Sequence, residues 1–340
     1  MNTRPLSGLK LPRGIQTCFS LFCALCAMSG AALAEHAPAP GTTRIAQWKD
    51  DKQAAFTLEF DDGISNHLSL VIPELQKQKM VGTFFLNPGK AEQKILLDQW
   101  KSAPDTGAAV LGNHTMTHSG FKDFAGADEE FGQANEIVLG MTQGKQPRLL
   151  AFATPGVGAG RWPLSGPEKK QLIEKYHLVD RGDYAGHGAM FHERTADEMI
   201  GLADRALSKG GVEYIVFHSI GPGTIPTPVP IFMDFIDKLE AMHDRLWITD
   251  VVSANKYETE RTNGAVQVME AGERKIQLNL TSNVDPQLYD APLTLVTQVA
   301  PGWQRCQITQ GSSKTTVVPV KGTVRFDAMP NGGAITLQPL

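Results

Sequence analysis

The chain has 340 residues, of which 41% are hydrophobic, 20% charged and 7% aromatic, and its formal net charge is −4. That length and apolar share sustain one large core or two. The mildly acidic balance, with no basic stripe and no basic amphipathic run, excludes a nucleic-acid partner or a membrane-surface helix.

Residues 1–34 read as a secretory signal. Arg4, Lys10 and Arg13 give a positive start, a mostly apolar run follows from Ile15 to Met28, and Ala32 and Ala34 supply an A-x-A cleavage site. The run falls short of the roughly 20 residues that a bilayer span needs, so the mature chain is expected to be exported, periplasmic or extracellular, with no membrane span. Cleavage removes Cys18, Cys23 and Cys26 and leaves Cys306 alone, which rules out an internal disulfide. Residues 35–43 are Pro-rich and read as a linker.

Strands and helices then alternate. Strands are predicted at 54–60, 82–86, 108–111, 149–152, 178–179, 213–217 and 246–248. Helices are predicted at 68–79, 93–101, 128–142, 167–176, 195–208, 231–243 and from about 250 to 257, with Thr195 and Glu198 spaced as a capping box. The strands are short apolar runs, as expected where both faces are covered. About seven such units imply a parallel sheet and suit a distorted (β/α) barrel over residues 44–261. After Arg261 the pattern changes: segments 275–280, 293–296 and 315–318 alternate and turn residues separate them, so 264–340 reads as a small all-β domain.

Residues capable of chemistry fall where the predicted strands end, on the face where a parallel barrel gathers its sites. Asp61 and Asp62 follow the first strand, His114 and His118 the third, Pro155 and Gly156 the fourth, Arg181 the fifth, and His218 ends the sixth. Asp-Asp-Gly alone is a turn signal, and a lone histidine is most simply a core residue. Together, two imidazoles and a carboxylate form a ligand set for a catalytic divalent metal, and a further carboxylate and histidine supply a base and an acid. The H-x-x-x-H spacing shares one face if the segment is helical. No H-E-x-x-H is present, which argues against a zinc protease.

Phe60-Asp61-Asp62-Gly63, His114 to His118 and Ile215-Val216-Phe217-His218, in that order, resemble the polysaccharide deacetylase family, the NodB-homology domain of carbohydrate esterase family 4, over roughly Gln47 to Tyr257. The resemblance implies that Asp62, His114 and His118 bind a divalent metal, usually zinc and sometimes cobalt or manganese. It also implies that Asp61 is the general base and His218 the general acid, and that an amide near Gly156 faces the developing oxyanion. The substrate implied is an acetylated oligo- or polysaccharide. The family's third motif commonly reads Arg-x-Pro-Tyr, whereas here Ala153 stands at the Arg position and Gly156 at the aromatic one. In the family that Arg orients the base; Arg181, ahead of Asp183 and Tyr184, is the candidate to fill its space. Trp162 offers either a stacking face for a sugar or ordinary packing, and Asn113 either support for His114 or a turn. The activity expected is N-deacetylation of an N-acetylhexosamine glycan; the alternatives are an O-acetyl esterase and a non-catalytic glycan-binding protein on the same scaffold.

Overall fold

The computed structural model describes residues 38–142, 149–182 and 186–340. The leader read at 1–34 lies outside these residues, as do Asp183 and Tyr184. Among the described residues no helix is long and apolar enough to cross a membrane.

In chain order the elements are β1 (Thr43–Ile45), β2 (Ala54–Phe60), a wide helical turn His67–Val71 running into α1 (Ile72–Lys77), β3 (Gly82–Leu86), α2 (Ala91–Lys94), α3 (Leu97–Ser102), β4 (Ala109–Asn113) and α4 (Phe124–Met141). Then come β5 (Leu150–Phe152), α5 (Gly166–Lys175), β6 (Leu178–Asp180), α6 (Ala196–Lys209), β7 (Val212–Phe217), α7 (Val229–Glu240), β8 (Leu246–Thr249) and α8 (Val251–Thr262). The β-rich end comprises β9 (Gly264–Ala271), β10 (Ile276–Ser282), β11 (Leu293–Gln298), β12 (Cys306–Gln310), β13 (Ser313–Val317), β14 (Thr323–Ala328) and β15 (Ile335–Pro339).

Helix starts follow capping chemistry. Ser165 and Thr195 each close a capping box, with Glu168 and Glu198, and the Asp123 side chain accepts the Gly126 N–H. The helix expected at 93–101 is instead two short pieces, α2 and α3. The break falls beside Ile95, which is 78% exposed and so has no packing to hold a continuous helix.

Seven parallel strands form one sheet in the order β6-β5-β4-β3-β2-β7, with β8 also on β2. Strand β2 is the axis of this distorted (β/α) barrel. It pairs β7 along one edge, while its other edge is shared by β8 at Ala54–Thr57 and β3 at Leu58–Phe60. The outer face of the sheet is apolar: Phe56, Leu58 and Phe60 pack with residues of the flanking helices, and Phe60 lies stacked between Phe84 and Phe217 at 4.7 and 5.5 Å. The inner face of the same strand carries Thr57, Glu59 and Asp61, as the two-residue period of a strand requires.

The C-terminal β-strands, joined by β1 from the start of the described chain, make two antiparallel sheets, β1-β11-β14 and β13-β12-β15-β10-β9. They share a core of Leu278, Leu295, Ile308, Phe326 and Leu337, which Trp48 and Tyr257 extend toward the barrel. The end of the stretch read as a linker is held here: Gly41 donates to Gln298 O, Gln298 to Thr42 O, and Thr43 opens β1 against β11.

Candidate functional site

Asp61, Asp62, His114, Arg181 and His218 sit one or two residues beyond a parallel strand, with His118 and Gly156 farther along the same loops, and the backbone ladder reaches the first residue past β2, β4, β5 and β6. Asp61 N–H donates to Phe217 O, His114 to Leu86 O, Ala153 to Asn113 O and Arg181 to Phe152 O, at 2.9 to 3.0 Å. The side chains of Asp61, Asp62, His114, His118, Arg181 and His218 thereby border one cavity of about 360 Å3, together with Thr154, Gly156, Phe191 and Ile225.

The ligand atoms of Asp62, His114 and His118 lie within 4.8 Å of one another. His114 is buried, and its Nδ1–H donates to Ala153 O at 2.8 Å, which leaves the Nε2 lone pair toward Asp61 and Asp62. Burial lowers its pKa to about 4, so the ring is neutral at physiological pH, as a metal ligand must be. His118 Nε2 is 3.6 Å from Asp62 Oδ1. One carboxylate and two imidazoles at this spacing fit a divalent ion.

The segment from His114 to His118 is not helical, contrary to the simplest reading of its spacing. Thr115 and His118 adopt left-handed φ of 64° and 58°, and Asp62 one of 71°. Such backbone in non-glycine residues persists only where surroundings enforce it. Here Asn113 Oδ1 accepts the Thr115 N–H at 2.8 Å, Asn87 Nδ2 donates to His114 O, and Glu130 accepts from both the N–H and the hydroxyl of Thr117. Asn113 therefore braces the turn. His67, buried with a pKa lowered to about 4 by burial, donates Nε2–H to His218 O at 2.7 Å and fixes the end of β7.

Arg181 stands beside Asp61, one register step from Ala153. Phe152 and Asp180 are register partners, so Ala153 and Arg181 are neighbours one step past the β5–β6 ladder. The guanidinium lies 4.9 Å from the centre of the Phe85 ring. Both Nη atoms donate to Asp61, at 2.6 and 3.0 Å. Burial opposes ionisation of Asp61, but Arg181 and His114 hold its carboxyl well below the usual range.

Behind this pair is a residue that the sequence reading missed. Glu59 is buried, accepts from Thr57 Oγ1 at 2.8 Å, and its Oε2 lies 3.5 Å from Arg181 Nη1. Burial pushes its pKa up to about 7 even though Arg181 and Thr57 pull it down, because the guanidinium is committed to Asp61. The signal was present: Glu59 is the one charge in Ala-Ala-Phe-Thr-Leu-Glu-Phe, two positions before Asp61 and hence on the same face.

Trp162 does not border the cavity. Its ring, partly buried, packs on Phe121 and Phe131 at 4.7 and 5.9 Å, in line with the packing reading. Pro155 is buried, while Gly156 borders the cavity with open space beside its Cα.

Residues 49–159 match the family model described as polysaccharide deacetylase. A gellan lyase from Bacillus sp. is 21% identical over 347 residues, covering 88% of this chain, which spans only 13% of that protein. Among solved structures, a family 4 carbohydrate esterase from Streptomyces lividans in complex with acetate is 18% identical over 58% of this chain and 92% of its own, with a TM-score of 0.42. A CE4 family pseudoenzyme from Bacillus anthracis is 16% identical over 59% of this chain and 65% of its own, also with a TM-score of 0.42.

Proposed function

We propose, for a chain whose residues 49–159 fall in the polysaccharide deacetylase family, an exported, metal-dependent hydrolase that removes acetyl groups from an N-acetylhexosamine glycan. The observation that carries this reading is the convergence of Asp61, Asp62, His114, His118 and His218 on one cavity. His218 and Arg181 lie beyond the matched segment, so their roles rest on that geometry.

Asp62, His114 and His118 hold the metal, taken as zinc, with cobalt or manganese as substitutes. When bound, a divalent ion polarises the acetyl carbonyl and makes water a better nucleophile at neutral pH. Asp61 accepts the proton of the attacking water, and Arg181 keeps that carboxylate ionised and aimed. Gly156, on the cavity wall, offers its N–H to the carbonyl oxygen as charge builds there. His218 gives a proton to the leaving nitrogen. The water oxygen first bonds to the acetyl carbon, and the C–N bond then breaks as the nitrogen takes its proton, which yields acetate and a free amine.

Acetate release from acetylated chito-oligomers and from acetylated xylan tests the reading. The wild-type protein should act on the first and prefer it to the second. Asp61→Asn and His218→Ala should each lower release by about 10²-fold or more. Release undiminished in Asp61→Asn would refute the assignment of the base, and preference for xylan would make the enzyme an O-acetyl esterase.

A further inference from the structure

The ligand set contains a feature that metal binding alone does not require. Lys90 Nζ lies 2.9 Å from Asp62 Oδ1, the oxygen that also faces His118 Nε2 at 3.6 Å. Any cation held between His118 and that oxygen must share the oxygen with the Lys90 ammonium or displace it.

The surrounding segment delivers Lys90 there. Its N–H donates to Asn87 O, and its carbonyl accepts from Gln93 and Lys94 at 3.1 and 3.0 Å, which fixes a turn ahead of α2. The same turn grips both ligand-bearing loops: the Asn87 side chain donates to His114 O and Thr115 O, and the Gln93 side chain to Asp62 O. The Lys90 side chain is itself 25% exposed. It borders a second cavity of about 350 Å3, on whose wall Glu92 also stands, next to Asp62 and Thr224. The ammonium thus has somewhere to go and a carboxylate to meet.

Resting on the reading of Asp62, His114 and His118 as metal ligands, we infer that Lys90 is a built-in competitor for the metal. It neutralises Asp62 until a divalent ion takes Oδ1, then swings into the second cavity. A lysine that merely oriented Asp62 would strengthen metal binding, because supporting partners of a ligand raise affinity. A competitor weakens it. The sign of the effect therefore separates the two roles.

The test is a zinc titration of the purified full chain against a chromophoric chelator, with wild type, Lys90→Met, Lys90→Arg and His118→Ala. Lys90→Met should bind zinc on the order of tenfold more tightly, the strength of a partly buried ion pair, and zinc should raise its melting temperature more than that of wild type. Lys90→Arg, which keeps the competing cation, should stay within about threefold of wild type on the same scale. If Lys90→Met does not fold, Lys90→Gln carries the same expectation. Unchanged or weaker binding in the neutral variant would overturn the competitor role while leaving the ligands in place. Equal zinc uptake by wild type and His118→Ala would instead overturn the ligand assignment itself.

Discussion

The two faces of β2 make the instructive contrast. Toward the helices it presents Phe56, Leu58 and Phe60, which pack with Phe84, Phe217, Phe232 and Phe235 in a layer with no charge to accommodate. Toward the barrel interior it presents Thr57, Glu59 and Asp61, with Arg181 between the two carboxylates, all nearly inaccessible to solvent. The outer face supplies stability through area removed from water. The inner face gives up some of that stability to keep charged groups dry, where electrostatic interactions are strongest.

Replacing Arg181 should break this contrast most severely. Arg181→Ala leaves Asp61 and Glu59 buried without their cation, which should cost about 3–5 kcal/mol of stability and abolish acetate release together. A thermal melt and an assay on the folded fraction check both. On the outer face Phe235→Ala should cost a similar or slightly smaller amount, about 3–4 kcal/mol, through the cavity it leaves, yet leave acetate release per folded molecule close to wild type. Loss of activity in proportion to Arg181→Ala would mean that the two faces are not separable.

A smaller effect sharpens the inner face. The folded-state pKa of Glu59 is raised to about 7 from 4.5, so the folded chain holds a proton that the unfolded chain releases between those values. This contribution to stability is present below pH 4.5 and is lost as pH rises toward 7, by a few kcal/mol at most. Asp61 has the opposite sign: its folded pKa is depressed, so its contribution is present above the unfolded value of 3.8 and lost as pH falls through the folded one. Denaturant melts of wild type and Glu59→Gln across pH 4.5–7 should differ in slope, with the variant flatter. Parallel curves would show that Glu59 stays ionised.

The outer face was also the legible one. Mostly apolar runs such as 54–60 and 82–86 are bounded in the structure as the pattern predicts, because both faces are buried and the few polar residues, Thr57, Glu59 and Thr83, fall inside the runs and not at their ends. Strand β9 escaped the reading because most of its residues are exposed, so its pairing with β10 leaves little hydrophobic pattern. In the site, the residues at strand ends were readable from position alone. What each touches was legible only in part: Arg181 beside Asp61, 120 positions away, was expected only through the missing motif arginine, Lys90 reaches Asp62 from a turn without any motif, and Trp162 turns toward Phe121 and Phe131. Those contacts depend on register between strands and on loop backbone of left-handed φ, neither of which is a local property of the chain.

If Asp62, His114 and His118 hold the metal, they converge on one divalent ion. Anomalous diffraction at the zinc edge, from crystals grown with zinc, tests it most directly. One strong peak within about 2.0–2.2 Å of an Asp62 oxygen and of an imidazole nitrogen on each histidine is the result expected. A peak elsewhere, or none between these three side chains at full zinc saturation, would contradict it.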